Sequence, residues 1–196
     1  MNFIINSNTA AVLETAYITS VPRIGHLNLR VSDLDRATEF YREVLGLTVS
    51  YYGPAVGLPT VFLAFDDYHH HIALNWFYRD SRLSTPGGQT SLNHFALAYP
   101  DELSLAGAVV RLLQHGDLIE DALDHGGTIS VYLRDPDGNG IELYYDRPRT
   151  QWFDSAGQLV IKAEPFNVRR WLKEAWCESV EEVDQELCAE CVEVHR

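Results

Sequence analysis

The stretch IGHLNLRV at residues 24–31 returns in altered form as LNHFALAY at residues 92–99. Both stretches alternate apolar and polar side chains, which is typical of a β-strand with one buried face. Each is followed by a segment of helical periodicity and then by three further strand-like runs. The order strand, helix, three strands therefore occurs twice, and it predicts two βαβββ modules of about sixty residues each.

We place the first module at residues 22–80 and the second at residues 90–146. In the first, Ser32 or Asp33 is expected to cap a helix that Gly46 ends, and the second helix is expected at residues 101–115. The predicted strands are 24–31, 47–52, 60–65, 70–77, 92–99, 117–122, 128–134 and 140–146. A half-sheet of this size cannot cover its own apolar face. We therefore expect an α+β fold in which both modules pair into one curved mixed sheet.

Flanking segments complete the predicted organisation. Residues 1–21 are expected to form an N-terminal arm, residues 22–150 a single domain, and residues 151–196 an acidic, partly helical extension. The extension carries one approximate apolar stripe at helical spacing, formed by Val180, Val183, Leu187, Cys191 and Val194. The simplest role of this helix is to pack on its own domain. A contact between subunits of a homo-oligomer stays open.

The net charge of -13 limits the partners of the chain. Such a surface repels phosphate backbones and anionic lipids, so we expect neither a nucleic acid nor a membrane as partner. No basic stretch precedes an apolar run at the start of the sequence, and no window approaches a membrane span in length. We expect a soluble protein of the cytoplasm.

The cysteines Cys177, Cys188 and Cys191 are odd in number and define no disulfide framework, which favours a reducing compartment. Cys188 and Cys191 form a C-x-x-C pair without a second pair, among acidic residues that disfavour the thiolate. A zinc or redox role is therefore the weaker interpretation. The simpler one is two small apolar residues on one helix face.

His26 and His94 occupy equivalent positions in the first strand of each module. A histidine in a strand is more often a packed core residue than a ligand. Equivalent residues of duplicated modules, however, lie near each other around the pseudo-two-fold axis. The symmetric pair therefore predicts two imidazoles that converge on one site.

Glu142 lies between Ile141 and Leu143, so its carboxylate is expected to point to the opposite face from theirs. Removing a carboxylate from water is costly unless it is paired or bound to a cation. One interpretation is an ion pair with Arg30 or Arg134. The other is a divalent metal that the carboxylate holds together with the two histidines.

The repeat partner of Glu142 is Ala73, which cannot bind a metal. Two histidines and one carboxylate with open positions are typical of non-haem iron(II) oxygenases. We therefore expect Fe²⁺, with Mn²⁺ as the alternative. Structural zinc fits less well, because it favours a closed shell.

Two longer runs resemble the vicinal oxygen chelate superfamily, which includes glyoxalase I, bleomycin-resistance proteins and type I extradiol dioxygenases. YLRDPDGNGIELYYDRPR at residues 132–149, followed by Trp152, closely resembles one-domain catechol 2,3-dioxygenase-like proteins, as does YHHHIALN at residues 68–75. The resemblance covers roughly residues 22–165. Its D-P-D-G-N-G-I-E run is common to the superfamily and marks a tight turn. The triple histidine together with Tyr132 is more specific for ring cleavage.

The resemblance implies that His26, His94 and Glu142 are the metal ligands of an iron(II) extradiol dioxygenase. Its expected partners are a small aromatic diol and dioxygen. Another metal-dependent member of the superfamily, of the glyoxalase, epimerase or thiol transferase type, is an alternative. A further alternative is a binding protein that holds an aromatic ligand or antibiotic without turnover.

The resemblance also implies three catalytic residues. His70 matches the acid–base histidine of the pocket, although a one-residue change of register would give His69 or His71 that place. Tyr132 matches a tyrosine that hydrogen-bonds a substrate oxygen, and His125 matches a second histidine on the substrate side. Adjacent histidines are also common in exposed polar runs, and Tyr132 could equally be a cross-strand core residue.

Overall fold

The computed structural model describes residues 24–76 and 92–179, with the side chains of residues 176–179 excepted. The predicted N-terminal arm, the linker at residues 78–90 and the apolar stripe that begins at Val180 lie outside the described residues. The Cys188 and Cys191 pair lies outside them as well. Those expectations therefore stay predictions.

The first module has four strands and one short helix, in the order β1 (Leu27–Val31), α1 (Leu34–Glu39), β2 (Thr48–Tyr52), β3 (Thr60–Ala64) and β4 (Ile72–Trp76). Parallel pairing of β1 with β4 and antiparallel pairing of the others give the sheet order β1-β4-β3-β2. Asp33 caps α1, because its carboxylate accepts a hydrogen bond from the Arg36 N–H. A π-helical segment, Phe40–Val44, continues α1 until Gly46, where φ is 78°.

The second module contains β5 (His94–Tyr99), α2 (Glu102–Gln114), β6 (Asp121–Gly126), β7 (Thr128–Arg134) and β8 (Gly140–Asp146). The C-terminal extension adds β9 (Ile161–Pro165) and α3 (Val168–Ser179). The sheet order is β5-β8-β7-β6-β9. Strand β9 was not predicted from the sequence. Within the described part of the chain, each helix is too short or too polar to cross a bilayer.

The register of the two sheets confirms the repeat. Asn28 on β1 pairs with Ala73 on β4, and Ala96 on β5 pairs with Glu142 on β8. Asn28 and Ala96 each lie two residues after the histidine of their module. Ala73 therefore occupies in the first sheet the place that Glu142 occupies in the second, as the sequence alignment of the modules predicted.

The α+β class and the two βαβββ modules are confirmed, but the connection between the modules differs from the expected single curved sheet. In the described residues the strands form two hydrogen-bonded sheets of four and five strands, with no ladder between them. Strands β1 and β5 are outer strands of their own sheets. Packing between the modules, rather than strand pairing, holds them together.

Several predicted strand boundaries also move, including the start of β1, which is Leu27 rather than residue 24. The strand expected at residues 117–122 begins at Asp121, because Gly116 and Asp117 have φ values of 106° and 53° and cannot extend. The strand expected at residues 70–77 begins at Ile72. The preceding residue, His71, accepts a hydrogen bond from the Phe65 N–H through Nδ1 and so belongs to the connecting loop.

One apolar cluster, with residues from both modules, forms the core. Along β8, Ile141, Leu143 and Tyr145 are buried in it, while Glu142 and Tyr144 point to the other side and are half-buried. We call the side of each sheet that faces away from this core the open face. Glu142 therefore lies on the open face, as the alternation along its strand predicted.

The helix α3 packs against α2, so the described part of the extension docks on its own domain. Trp171 makes the main contact, because its ring is 8% exposed and meets Phe166 edge-on at 5.7 Å between centroids. Its indole Nε1 donates a hydrogen bond of 2.6 Å to Glu102 at the start of α2.

Replacing Trp171 tests this docking. Trp171→Ala is expected to lower the free energy of unfolding by about 3–5 kcal/mol, since it removes a large buried ring. Trp171→Phe keeps an apolar ring and loses the hydrogen bond, at about 1–2 kcal/mol. Urea denaturation monitored by circular dichroism measures both. The exposed neighbour Arg170 is the control, because Arg170→Ala removes only a surface ion pair with Glu174. Equal stability of Trp171→Ala and the native chain would contradict the docking.

Candidate functional site

Glu142 lies at the centre of a hydrogen-bonded group on the open face of the second sheet. Its Oε2 is 3.0 Å from Nε2 of His94, and its Oε1 accepts a hydrogen bond of 2.9 Å from the hydroxyl of Tyr132. Strand pairing places Tyr132 directly opposite Glu142. Since 14% of the Glu142 side chain is exposed, water solvates the carboxylate poorly, and these two partners replace it.

Arg134 does not pair with Glu142, which was one of the interpretations that the sequence left open. The Nε of Arg134 lies 3.1 Å from Oε2 of Glu120, and its Nη1 donates to the carbonyl of Gly138. Arg30, the other residue considered, is an exposed residue of β1 in the other sheet. The partners of Glu142 in the second sheet are thus an imidazole and a phenol rather than a guanidinium.

His94 is held at the start of β5 by two local features. It pairs with Gly140 on β8, where a Cβ would collide with the Asn93 carbonyl and come within 3.0 Å of the His94 Cβ. Its Nδ1 lies 2.7 Å from Oδ1 of Asn93. An amide oxygen only accepts, so with this amide orientation Nδ1 carries a proton. Nε2 is the nitrogen that faces Glu142, and it is the one available to a metal.

His125 extends the same group away from Glu142. Its Nε2 is 2.9 Å from the Tyr132 hydroxyl, and its Nδ1 is 2.8 Å from the main-chain carbonyl of Lys162 on β9. Because a carbonyl only accepts, Nδ1 is the donor in that contact. The single phenolic proton of Tyr132 then serves either His125 or Glu142, since it cannot be donated to both. The four side chains are connected one to the next by contacts of 2.9 to 3.0 Å.

A neighbouring ion cluster fixes the strand end that carries His125. Arg147 donates to both carboxylate oxygens of Asp124, over 2.8 and 3.0 Å, and Lys162 lies 3.1 Å from the second oxygen. The Gly126 N–H also donates to Asp124. Burial alone would raise the pKa of Asp124, but the hydrogen bonds from Arg147, Gly126 and Lys162 outweigh it and lower that pKa below its ordinary value.

Sequence reasoning missed this cluster and the part that β9 takes in it. The sequence analysis assigned no role to Asp124 or to Arg147. A main-chain carbonyl is common to every residue, so no sequence signal identifies Lys162 as the partner of His125. Asp124 and Arg147 carry opposite charges and flank the two strands predicted at residues 128–134 and 140–146. This was the available sequence signal for an ion pair between them.

Tyr132 is protonated at neutral pH. Partial burial, and then the hydrogen bond and the charge of Glu142, raise the pKa of Tyr132 to about 12. A neutral phenol in this place is a hydrogen-bond donor. Its single proton can therefore be donated either to Glu142 or to an oxygen bound beside Glu142.

A second group of aromatic and imidazole rings lies in the first module. The ring of His70 is 4.5 Å from that of His26 and stacks on Phe62 at 4.3 Å, with 17° between the planes. Of the three adjacent histidines, His70 is thus the one whose ring meets His26. Partial burial, and then the neighbouring imidazoles of His26, His69 and His71, lower the pKa of His70 below its ordinary value.

The predicted metal ligands are brought together only in part. Across residues 24–76 and 92–179, no three side chains suited to a metal ion come close enough to form a complete site. His94 and Glu142 are adjacent, whereas His26 meets His70 in the first module. The donor chemistry nevertheless fits Fe²⁺, because imidazole and carboxylate already meet and Ala73 supplies no fourth ligand. The complete triad stays a prediction.

Comparison with known proteins identifies the family. A model of the glyoxalase/bleomycin resistance protein/dioxygenase superfamily matches residues 23–143, and the chain belongs to this superfamily. The membership inferred from the two sequence runs is thereby confirmed. The same superfamily contains dioxygenases and lyases, so membership by itself does not specify the reaction.

Among the relatives, the catechol-2,3-dioxygenase of Bacillus subtilis (strain 168) is 33% identical over 158 residues, covering 78% of this chain and 52% of the relative. The biphenyl-2,3-diol 1,2-dioxygenase 3 of Rhodococcus globerulus is 34% identical over 137 residues, 66% of each chain. A lactoylglutathione lyase of Haemophilus influenzae is 29% identical over 125 residues, 62% of this chain and 90% of the relative. This chain therefore spans about half the length of the Bacillus subtilis relative and 66% of the length of the Rhodococcus globerulus relative.

The lowered pKa of Asp124 predicts an acid-dependent contribution to stability. An aspartate whose pKa is lowered by folding stabilises the protein above its ordinary pKa of 3.8, and this is lost as the pH falls through the lowered value. We expect Asp124→Asn to cost about 1–2 kcal/mol of unfolding free energy at pH 7. The difference from the native chain should shrink below pH 4, as urea denaturation at several pH values would measure.

Glu164→Gln is the matched control for this prediction. Glu164 contacts the same Lys162 amine at 2.8 Å but is an exposed residue, so its loss should cost less than about 1 kcal/mol. A deficit of Asp124→Asn that stays constant from pH 7 to pH 3 would contradict the role given to the charged cluster.

Proposed function

We propose that this chain is a non-haem iron(II) extradiol dioxygenase, which opens a catechol-type ring beside its two hydroxyl groups with dioxygen. The observation that supports it most is the continuous chain formed by His94, Glu142, Tyr132 and His125. It sets two metal-binding groups beside a neutral phenol and a second imidazole. The dioxygenases of Bacillus subtilis and Rhodococcus globerulus, at 33% and 34% identity, support the same reaction class.

The metal would be held by His26, His94 and Glu142. When bound, Fe²⁺ supplies a Lewis acid that orients the diol, favours its ionised form and brings dioxygen beside it. The Asn93 contact keeps the proton of His94 on Nδ1 and so leaves Nε2 for the metal. Ala73 leaves open positions for two small reactants.

Tyr132 and His125 act on the substrate side of this arrangement. The Tyr132 hydroxyl would donate to a substrate oxygen, because it lies against Glu142 and keeps its proton at neutral pH. His125 is oriented from behind by the carbonyl of Lys162, so Nε2 points toward the phenol and the substrate. A fixed donor such as the Tyr132 hydroxyl stabilises developing negative charge without reorganisation.

His70 is the residue we assign to acid–base work. Its ring lies against His26 and is supported from the other side by Phe62, which limits its rotation. An imidazole in that place can accept a proton from the bound diol and return it during ring opening. His69 and His71 have other neighbours, since His69 lies against Tyr68 and His71 against Phe65.

A lactoylglutathione lyase activity is the second candidate, because the relative from Haemophilus influenzae covers 62% of this chain. The resemblance that suggests it also implies four protein ligands, one of them at the position of Ala73. The register places Ala73 in that position, and its methyl group cannot serve as a ligand. The ligand set thus favours the dioxygenase.

Oxygen consumption tests the reaction. Protein loaded with Fe²⁺ without air and then given air and a panel of catechols is expected to take up oxygen and form a yellow ring-opened product. Tyr132→Phe should lower kcat/KM roughly 100-fold, because one fixed donor is lost. Tyr52→Phe, which changes a tyrosine of the first module bound to Asp35, is the control. No oxygen uptake with any catechol would contradict the proposal.

Metal analysis tests the ligand set independently. Glu142→Ala is expected to lose stoichiometric Fe²⁺ or Mn²⁺ after anaerobic loading and desalting, since only imidazoles remain. Glu120→Ala removes an exposed carboxylate just before β6, paired with Arg134, and should keep the metal. A Glu142→Ala protein with the native metal content would refute the assignment. A native chain without metal would favour the binding-protein alternative.

A further inference from the structure

The residues of the proposed metal site belong to two separately hydrogen-bonded sheets. His26 precedes β1 in the first sheet, while His94 and Glu142 lie on β5 and β8 in the second. In the part of the chain that the structure describes, no strand pairing connects the sheets. The distance from His26 to the other two ligands therefore depends on how the modules are held against each other.

Polar contacts between the modules concentrate at the turn before β8. They connect α1 and the π-helical segment of the first module to this turn. Among the described residues, three such hydrogen bonds are formed. They run from the Ser32 N–H to Asp137 at 2.9 Å, from Arg36 to the Pro136 carbonyl at 3.3 Å, and from the Tyr41 hydroxyl to Asp135 at 2.9 Å. The Arg36 guanidinium, which is half exposed, is also 3.6 Å from the Asp137 carboxylate, whose side chain is 12% exposed.

The contact between Tyr41 and Asp135 differs from the others because it is buried. Tyr41 is 0% exposed and Asp135 is 4% exposed. Asp135 also accepts hydrogen bonds from the main-chain N–H groups of Asp137 and Asn139 and from the Asn139 side chain. A buried carboxylate needs such partners, and Tyr41 is the one that the other module provides. Burial, and then the charge of Asp135, raise the pKa of Tyr41, so its hydroxyl stays a donor.

The turn that Asp135 organises leads directly into the metal-binding strand. Gly140 begins β8, pairs with His94 and lies so close to it that a Cβ would collide with the Asn93 carbonyl. Glu142 follows two residues later on the same strand. A displacement of the turn would therefore move Glu142, and with it His94, as one unit.

Tyr41 shares an apolar core with the strand that follows His26 in the first module. Its segment continues α1, which follows β1, and Tyr41 belongs to the same apolar core as Leu29 and Val31 of β1. His26 lies just before that strand. Each partner of the buried hydrogen bond is thus rigidly joined to one part of the proposed metal site.

We propose that Tyr41 and Asp135 are positioning residues, which set the place of His26 relative to the His94–Glu142 pair. This inference rests on the proposed metal site. It gives Asp135, the first aspartate of the D-P-D-G-N-G run, a role beyond the tight turn. Its carboxylate both orders the turn and accepts the hydrogen bond from Tyr41 of the other module. Neither residue would touch metal or substrate.

Metal affinity is the property that distinguishes positioning from simple stability. Metal-free protein, titrated anaerobically with Mn²⁺ and followed by electron paramagnetic resonance, gives a dissociation constant for the folded state. Tyr41→Phe keeps the buried ring and removes the hydrogen bond, and we expect 10- to 100-fold weaker binding, as for other supporting contacts of metal ligands. Circular dichroism before each titration confirms that the protein is folded.

Tyr99→Phe is the matched control. It also removes a hydroxyl from a tyrosine in the second module, and that hydroxyl is buried without a hydrogen-bond partner among the described residues. Its metal affinity should equal that of the native chain. Equal affinity of Tyr41→Phe and the native chain, or equal weakening by Tyr99→Phe, would overturn the positioning role.

A double-mutant cycle tests whether the effect passes through His26. His26→Ala should weaken Mn²⁺ binding, and adding Tyr41→Phe should weaken it no further, because the residue being positioned is already gone. Losses that multiply would overturn the inference. If Tyr41→Phe does not fold, Asp135→Asn takes its place in the cycle, because the amide oxygen still accepts from the turn.

The failure of the two proposals can be told apart. A native chain that binds no Mn²⁺ or Fe²⁺ refutes the proposed metal site and the positioning role together. A native chain that binds metal and cleaves catechols, with Tyr41→Phe binding equally well, refutes the positioning role alone.

Discussion

Removing a carboxylate from water costs free energy unless each of its oxygens has a polar partner. The second module meets this requirement at Glu142, whose two oxygens contact His94 and Tyr132. The alternation of β8 turns Glu142 away from the core, and the pairing of β7 and β5 with β8 brings Tyr132 and His94 to its two oxygens. His125 then partners Tyr132. The site residues of this module thus follow from one strand register, which explains why a local sequence pattern was enough to bring them together.

The strands that carry these residues were predicted best. The bounds predicted for β7 and β8 match the structure, because both strands alternate strongly and the turn between them is specified by proline and glycine. The strand β9 was missed, since its residues are mostly exposed and it contributes through its main chain. The division into two sheets was also missed. Whether β1 and β5 pair depends on how whole modules pack, which no local pattern records.

The site was predicted to a similar extent and for the same reason. His94, Glu142, Tyr132 and His125 meet as expected, because they share one sheet and its periodicity. The acid–base role was predicted for His70, with His69 or His71 as alternatives, and His70 is the one whose ring lies against His26 and stacks on Phe62. The role itself stays a prediction. The repeat could not predict the distance between His26 and the two predicted ligands of the second module. Symmetry of sequence predicts equivalent positions within the modules but not the distance between them.

The carbonyl that orients His125 has an evolutionary consequence. Because Lys162 meets His125 through its main chain, a change of side chain at position 162 leaves that contact in place. The segment that leads into β9 is instead sensitive to length. Val160 packs so closely against Gly126 that a Cβ on Gly126 would collide with it. Homologous extensions can therefore diverge widely in composition, whereas an insertion or deletion before β9 would shift which carbonyl faces the imidazole. Selection on this segment would act mainly on spacing, and on residue identity at Lys162, whose amine also contacts Asp124.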